Sequence, residues 1–154
     1  MSELCCEHSS IKKELETQGV YVCRSYGVSM EPLFRTHRDV MVIKAADREL
    51  RKYDVVLYDV GDERYFLHRI IKVTPDEYLI RGDNTFVIEH IKKESVIGVL
   101  ISYTRKGKKH SVNDFSYKLY SRTWNFIYPI RLILHKLRIF LGRVYRKLFK
   151  GGKK

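Results

Sequence analysis

The chain has 154 residues, 44% of them hydrophobic and 31% charged, with a formal net charge of +12. That length suits one domain with a short appendage, and the apolar content excludes wholesale disorder. So high a charge ordinarily points to nucleic acid or a membrane surface, but here it is local: residues 115–154 carry 11 Lys and Arg and no Asp or Glu, while residues 1–114 have a net charge of only +1.

In chain order, residues 9–18 read as a short helix within an N-terminal segment, 1–19. Ser9 or Ser10 is placed to cap it, Ile11 and Leu15 share a face, and Gly19 stops it. Strand-like runs follow at 20–23, 40–43, 54–60, 65–73, 78–80 and 95–103. Gly61-Asp62, Thr74-Pro75-Asp76 and Gly82-Asp83-Asn84 are turn signals between them. Short strands at close spacing predict a mostly β, compact antiparallel domain over residues 20–104. Residues 105–114, basic and polar, read as a linker to the tail at 115–154.

Three cysteines, Cys5, Cys6 and Cys23, with no CxxC, suggest neither a disulfide framework nor a zinc site, and no metal or cofactor is expected. The first 19 residues show no apolar core of a secretory signal. The most apolar window, 124–141, contains Arg131, His135, Lys136 and Arg138, which makes spanning costly. The compartment expected by default is the cytoplasm.

The stretch Gly27-Val28-Ser29-Met30-Glu31-Pro32 follows directly on a strand. A serine in so tight a turn suits a nucleophile, which needs a rigid approach line and nearby N–H donors. Serine in a Gly/Pro turn also occurs as a plain turn residue. His68 lies in a strand, on one face with Phe66 and Ile70, and is either a structural histidine or a base able to take the serine proton.

Taken in order, Ser29-Met30-x-Pro32, Asp39-Val40-x-Val42, Asp54-Val55-Val56, His68-Arg69-Ile70, Gly82-Asp83-Asn84 and Val96-Ile97-Gly98-Val99 resemble the signal peptidase I/LexA-like serine peptidase superfamily over residues 20–104. The resemblance implies a β-rich peptidase fold with Ser29 as nucleophile. Its bacterial members place a lysine where this chain has His68, so the His-Arg pair looks like the archaeal and endoplasmic-reticulum type, which pairs Ser with His. Lys72 is the nearby lysine candidate for a base; His68 is favoured. Asp83 or Glu89 would orient the histidine, with Asp83 preferred. The Ser29 backbone N–H would serve the oxyanion, and Met30 and Pro32 would touch an extended peptide. The chain departs from the pattern at Gly27, where signal peptidases have Ser, and at Arg38, where Gly is usual. Nor does any stretch before Ser29 in this sequence read as the membrane anchor that precedes the serine in signal peptidases, so none is expected there.

The tail predicts a basic amphipathic helix from Pro129 to Phe149, preceded by Trp124, Phe126 and Tyr128. One arc collects Arg131, His135, Lys136, Arg138, Arg143, Arg146, Lys147 and Lys150; the other collects Ile130, Ile133, Leu134, Leu137, Phe140, Leu141, Val144, Tyr145 and Leu148. Leu132, Ile139 and Phe149 interrupt the polar side. Residues 129–150 are therefore expected on anionic lipid at the cytoplasmic membrane face, with packing on the chain's own domain or nucleic acid as the other options. The function expected is a signal-peptidase-type serine endopeptidase peripheral to the membrane. The alternative is a non-catalytic peptidase-like module holding a peptide or partner there.

Overall fold

The computed structural model describes residues 10–61 and 64–149, with the side chains of 10, 148 and 149 left undescribed. Cys5, Cys6, Ser9, Asp62 and Lys150 lie outside the described residues, and so does the Ser10 side chain. A first helix, α1 (Ser10–Gln18), leads into β1 (Val20–Arg24), β2 (Val40–Ala45), β3 (Val55–Asp59) and β4 (Tyr65–Val73). Then come β5 (Glu77–Arg81), β6 (Glu89–Lys92), a 3-10 turn (Lys93–Ser95), β7 (Val96–Arg105) and β8 (Lys108–Ser111). Two helices follow among the described residues, α2 (Phe115–Phe126) and α3 (Tyr128–Phe149). Over the described residues the protein is thus mostly β, an eight-stranded antiparallel sheet with a helix before it and two helices after it.

The sheet order is β1-β2-β7-β3-β4-β5-β6. Strand β7 is long enough to pair β3 through its first half and β8 through its second, while β2 runs along its other edge. Both faces of the central strands are covered, so Val55 to Tyr58 are all buried rather than alternating. One core gathers Leu57, Leu67, Met41, Ile43 and Phe34 with Ile11 and Leu15 of α1. The other gathers Val56, Tyr58, Phe66, Ile70 and Ile80. Ile11 and Leu15 are 0% and 3% exposed, and burying each contributes about 1.5–3 kcal/mol. A nine-residue helix, marginal by itself, is held this way.

Three expectations are corrected. Residues 105–114 are not a linker: Lys106 (φ 50°) and Gly107 (φ 75°) form a two-residue turn with both φ positive, and β8 pairs back on β7. The basic composition of that stretch hid a hairpin. The first unit of the fold extends to Ser121, beyond 104, and a second unit begins at Arg122. Lys72 does not share the face of His68. A bulge lets Ile70 oppose Ile80 and Lys72 oppose Leu79, which inverts the alternation and leaves Lys72 exposed.

The second unit contains the end of α2 and all of α3. Pro129 offers no N–H to a carbonyl of the preceding turn, which accounts for the interruption at Ile127 between the two helices. Arg131 stacks on the Trp124 ring at 3.9 Å. On α3, Ile130, Ile133, Leu134, Leu137, Phe140, Leu141, Val144 and Tyr145 are all exposed.

Candidate active site

The loop between β1 and β2 carries Ser29 and is tied down at both ends. Ser25 N–H donates to Asp39 O at 2.8 Å, and His37 N–H donates to Ser25 O at 2.8 Å. Asp39 is fully buried; its carboxylate accepts from Arg35 N–H (2.9 Å) and from Arg38 Nε (2.6 Å) and Nη2 (2.7 Å). Burial alone would raise the Asp39 pKa, but the Arg38 guanidinium and the Arg35 N–H hold it below the ordinary value. Arg38 therefore anchors the loop. Gly27 sits at φ 77°, left-handed backbone that a side chain would strain, so serine is unsuited to that position here.

The turn after β5 clamps the serine from the other side. Asn84 N–H donates to Ser29 O at 2.7 Å, and Asn84 Nδ2 donates to Val28 O at 3.2 Å. Gly82 passes so close that an added Cβ would lie 2.7 Å from Ser29 O. Only glycine permits that approach without moving backbone. Among the described residues, the Ser29 N–H donates to no backbone carbonyl.

His68 projects from β4 into the second core and is 5% exposed. Its Nδ1 lies 3.1 Å from Glu89 Oε1 and 3.1 Å from the Tyr58 hydroxyl, which itself donates to Glu89 Oε2 at 2.6 Å. The hydrogen bond from His68, helped by the one from Tyr58, holds the Glu89 carboxyl below its ordinary pKa against the opposing effect of burial. Burial, with the adjacent carboxylate, pushes the Tyr58 hydroxyl far up, so it remains a donor. A carboxylate facing Nδ1 leaves the lone pair of a neutral ring on Nε2. That nitrogen is buried and has no hydrogen-bond partner among the described residues.

Asp83 does not orient His68. Neighbouring residues of a strand point to opposite faces, and Asp83 meets Arg69. Arg69 Nε and Nη2 donate to the two Asp83 oxygens at 2.8 and 2.7 Å. Its Nη1 donates to Tyr53 O, Tyr117 Oη and Ser121 Oγ, while Tyr120 Oη donates to Asp83. Glu89 reaches His68 through register: it opposes Ile80, which opposes Ile70 on the His68 face. Strand β6, too short and polar to read from sequence, is what brings it there.

Ser29 and His68 line one cleft of about 750 Å³, with Glu89, Asn84 and the largely apolar walls Tyr26, Val28, Val60, Phe66 and Val87. Among the described contacts no hydrogen bond joins Ser29 and His68; what they share is the cleft that both line. Met30 and Pro32, expected to touch a peptide, do not line this cleft. The Met30 side chain is in the first core, 5% exposed, where a turn buries its apolar residue, and Pro32 faces solvent. Tyr58 was not legible as a site residue, because an apolar β-run conceals which of its members carries a working hydroxyl. Compared with family models and with curated proteins, the chain matches none.

Proposed function

We propose that the chain is a serine endopeptidase of the signal peptidase/LexA-like type, with Ser29 as nucleophile, His68 as base and Glu89 as the acid that orients it. The observation that carries this reading is His68: its Nδ1 is engaged by Glu89, its Nε2 has no hydrogen-bond partner among the described residues, and the residue lines the cleft that Ser29 also lines. The ordered motifs of the sequence support the same assignment. Ser29 Oγ attacks a peptide carbonyl as its proton passes to His68 Nε2. The C–N bond then breaks, the amine leaves with that proton, and water hydrolyses the acyl-enzyme with His68 again as base. The Ser29 N–H donates to the oxyanion, and the apolar walls take an extended peptide.

A fluorophosphonate probe tests it. Wild type is labelled at Ser29, Ser29→Ala is not, and His68→Gln is labelled at least a hundredfold more slowly with its circular dichroism unchanged. An unlabelled wild type would leave the non-catalytic peptide-binding module.

The enzyme is further proposed to sit peripherally on the cytoplasmic membrane face through α3. Its exposed apolar side chains and its basic residues support this. Among the described residues, no helix is long and apolar enough to cross a membrane.

A further inference from the structure

The Tyr58 hydroxyl is a buried titratable group that the peptidase chemistry above does not use. It lies on β3, where Val56 opposes His68 and Tyr58 opposes Phe66. Its ring packs against both Phe66 and His68, with centroids 6.1 and 5.9 Å away. The side chain is wholly buried, so its orientation is set by packing. Glu89, by contrast, has a side chain 37% exposed, on a short edge strand. Left to itself, such a carboxylate gains hydration and rotamer freedom by turning towards solvent.

We infer that Tyr58 is a positioning residue: by donating to Glu89 Oε2 it holds Glu89 Oε1 on His68 Nδ1 and so keeps the lone pair of the neutral imidazole on Nε2. The distances assign the single phenolic proton. The contact to Glu89 is 2.6 Å and that to His68 Nδ1 is 3.1 Å. Were the proton given to Nδ1, the phenol oxygen would face a carboxylate oxygen at 2.6 Å with no proton between them. With the phenolic proton directed at Glu89, both neighbours of Nδ1 present lone pairs, and Nδ1 must carry the hydrogen. The arrangement is directional: Tyr58 disfavours the tautomer in which Nε2 holds a proton and fails as a base. This inference rests on the proposed peptidase reading for its consequence in catalysis, though not for the tautomer itself.

The test is Tyr58→Phe, which removes one oxygen and keeps the ring packing. Long-range proton–nitrogen NMR of the imidazoles, with His68→Gln identifying the His68 signals among the six histidines, reports the tautomer directly. Wild type is expected in the Nδ1–H form at neutral pH, and Tyr58→Phe in a mixture of both. In the same samples, acylation of Ser29 by the fluorophosphonate should slow about five- to twentyfold, within the range set by positioning of a general base. In the Glu89→Gln background the same substitution should have little further effect, since Tyr58 acts through Glu89. An unchanged tautomer in Tyr58→Phe overturns the inference, and so does a full additional loss in the Glu89→Gln background. If no variant or wild type is acylated while the tautomer still shifts, the peptidase reading fails and the positioning role stands.

Discussion

The Arg69–Asp83 pair ties the turn that clamps Ser29 to α2, and breaking it should be costly. The two side chains are 0% and 3% exposed and share two hydrogen bonds of 2.8 and 2.7 Å. Burial alone would lower the Arg69 pKa, but Asp83 and the Tyr117 hydroxyl outweigh it and raise it, so the guanidinium stays charged. Arg69→Met leaves a buried carboxylate without its cation and takes the donors from Tyr53 O, Tyr117 Oη and Ser121 Oγ. Removing one partner of such a pair costs about 3–5 kcal/mol, roughly two to four orders of magnitude in the folding equilibrium. Asp83→Asn should cost less, because an amide still accepts one Arg69 hydrogen bond. The double variant should lose clearly less than the two single losses combined, since neither group is then stranded. Urea unfolding followed by far-UV circular dichroism measures all three. A loss below about 1 kcal/mol for Arg69→Met, or strict additivity, would refute the reasoning. The same network fixes where the first unit ends. A chain stopped after Asp114 lacks Tyr117, Tyr120 and Ser121 and should be destabilised by several kcal/mol, whereas one stopped after Phe126 keeps them.

Gly82→Ala puts a methyl group 2.7 Å from Ser29 O, so the clamp must open; about 1–3 kcal/mol of stability should go, with a larger than tenfold fall in acylation rate. Unchanged acylation would show that the turn does not position the serine. Asp39 and Glu89 both have folded pKa values held below the ordinary carboxylate range. Their contribution is complete above about pH 4–5 and is lost as pH falls through the lowered folded values. Thermal melts should therefore be flat from pH 7 to about 5 and fall below about 4, less steeply in Asp39→Asn; melts that rise on acidification would contradict this. For α3, flotation with liposomes containing phosphatidylserine should carry the full chain upward and leave a chain stopped after Phe126 in solution, with binding weakened several-fold by 0.5 M salt. Equal binding to neutral vesicles would remove the electrostatic part.

Strands and the serine turn were legible because they depend on local chemistry. The runs at 20–23 and 65–73 became β1 and β4, and glycine at 27 marked a backbone position that needs positive φ. The amphipathic character of 129–149 likewise follows from a helical period written in neighbouring residues. What sequence could not decide was which acid serves His68. Asp83 and Glu89 are both close in the chain, and the choice depends on faces. Arg69 leaves the opposite side of β4 and captures Asp83, while the pairing of Ile70 with Ile80 and of Ile80 with Glu89 carries Glu89 to the histidine. The same holds for Lys72, removed from the site by one bulge, and for Tyr58, whose hydroxyl matters only because β3 lies beside β4. The +12 charge of the whole chain is, on its own, a statement about residues after Asp114. Periodicity and charge are properties of adjacent residues and survive without a fold; cross-strand register exists only once the sheet has assembled, and it is register that chose the partners of His68.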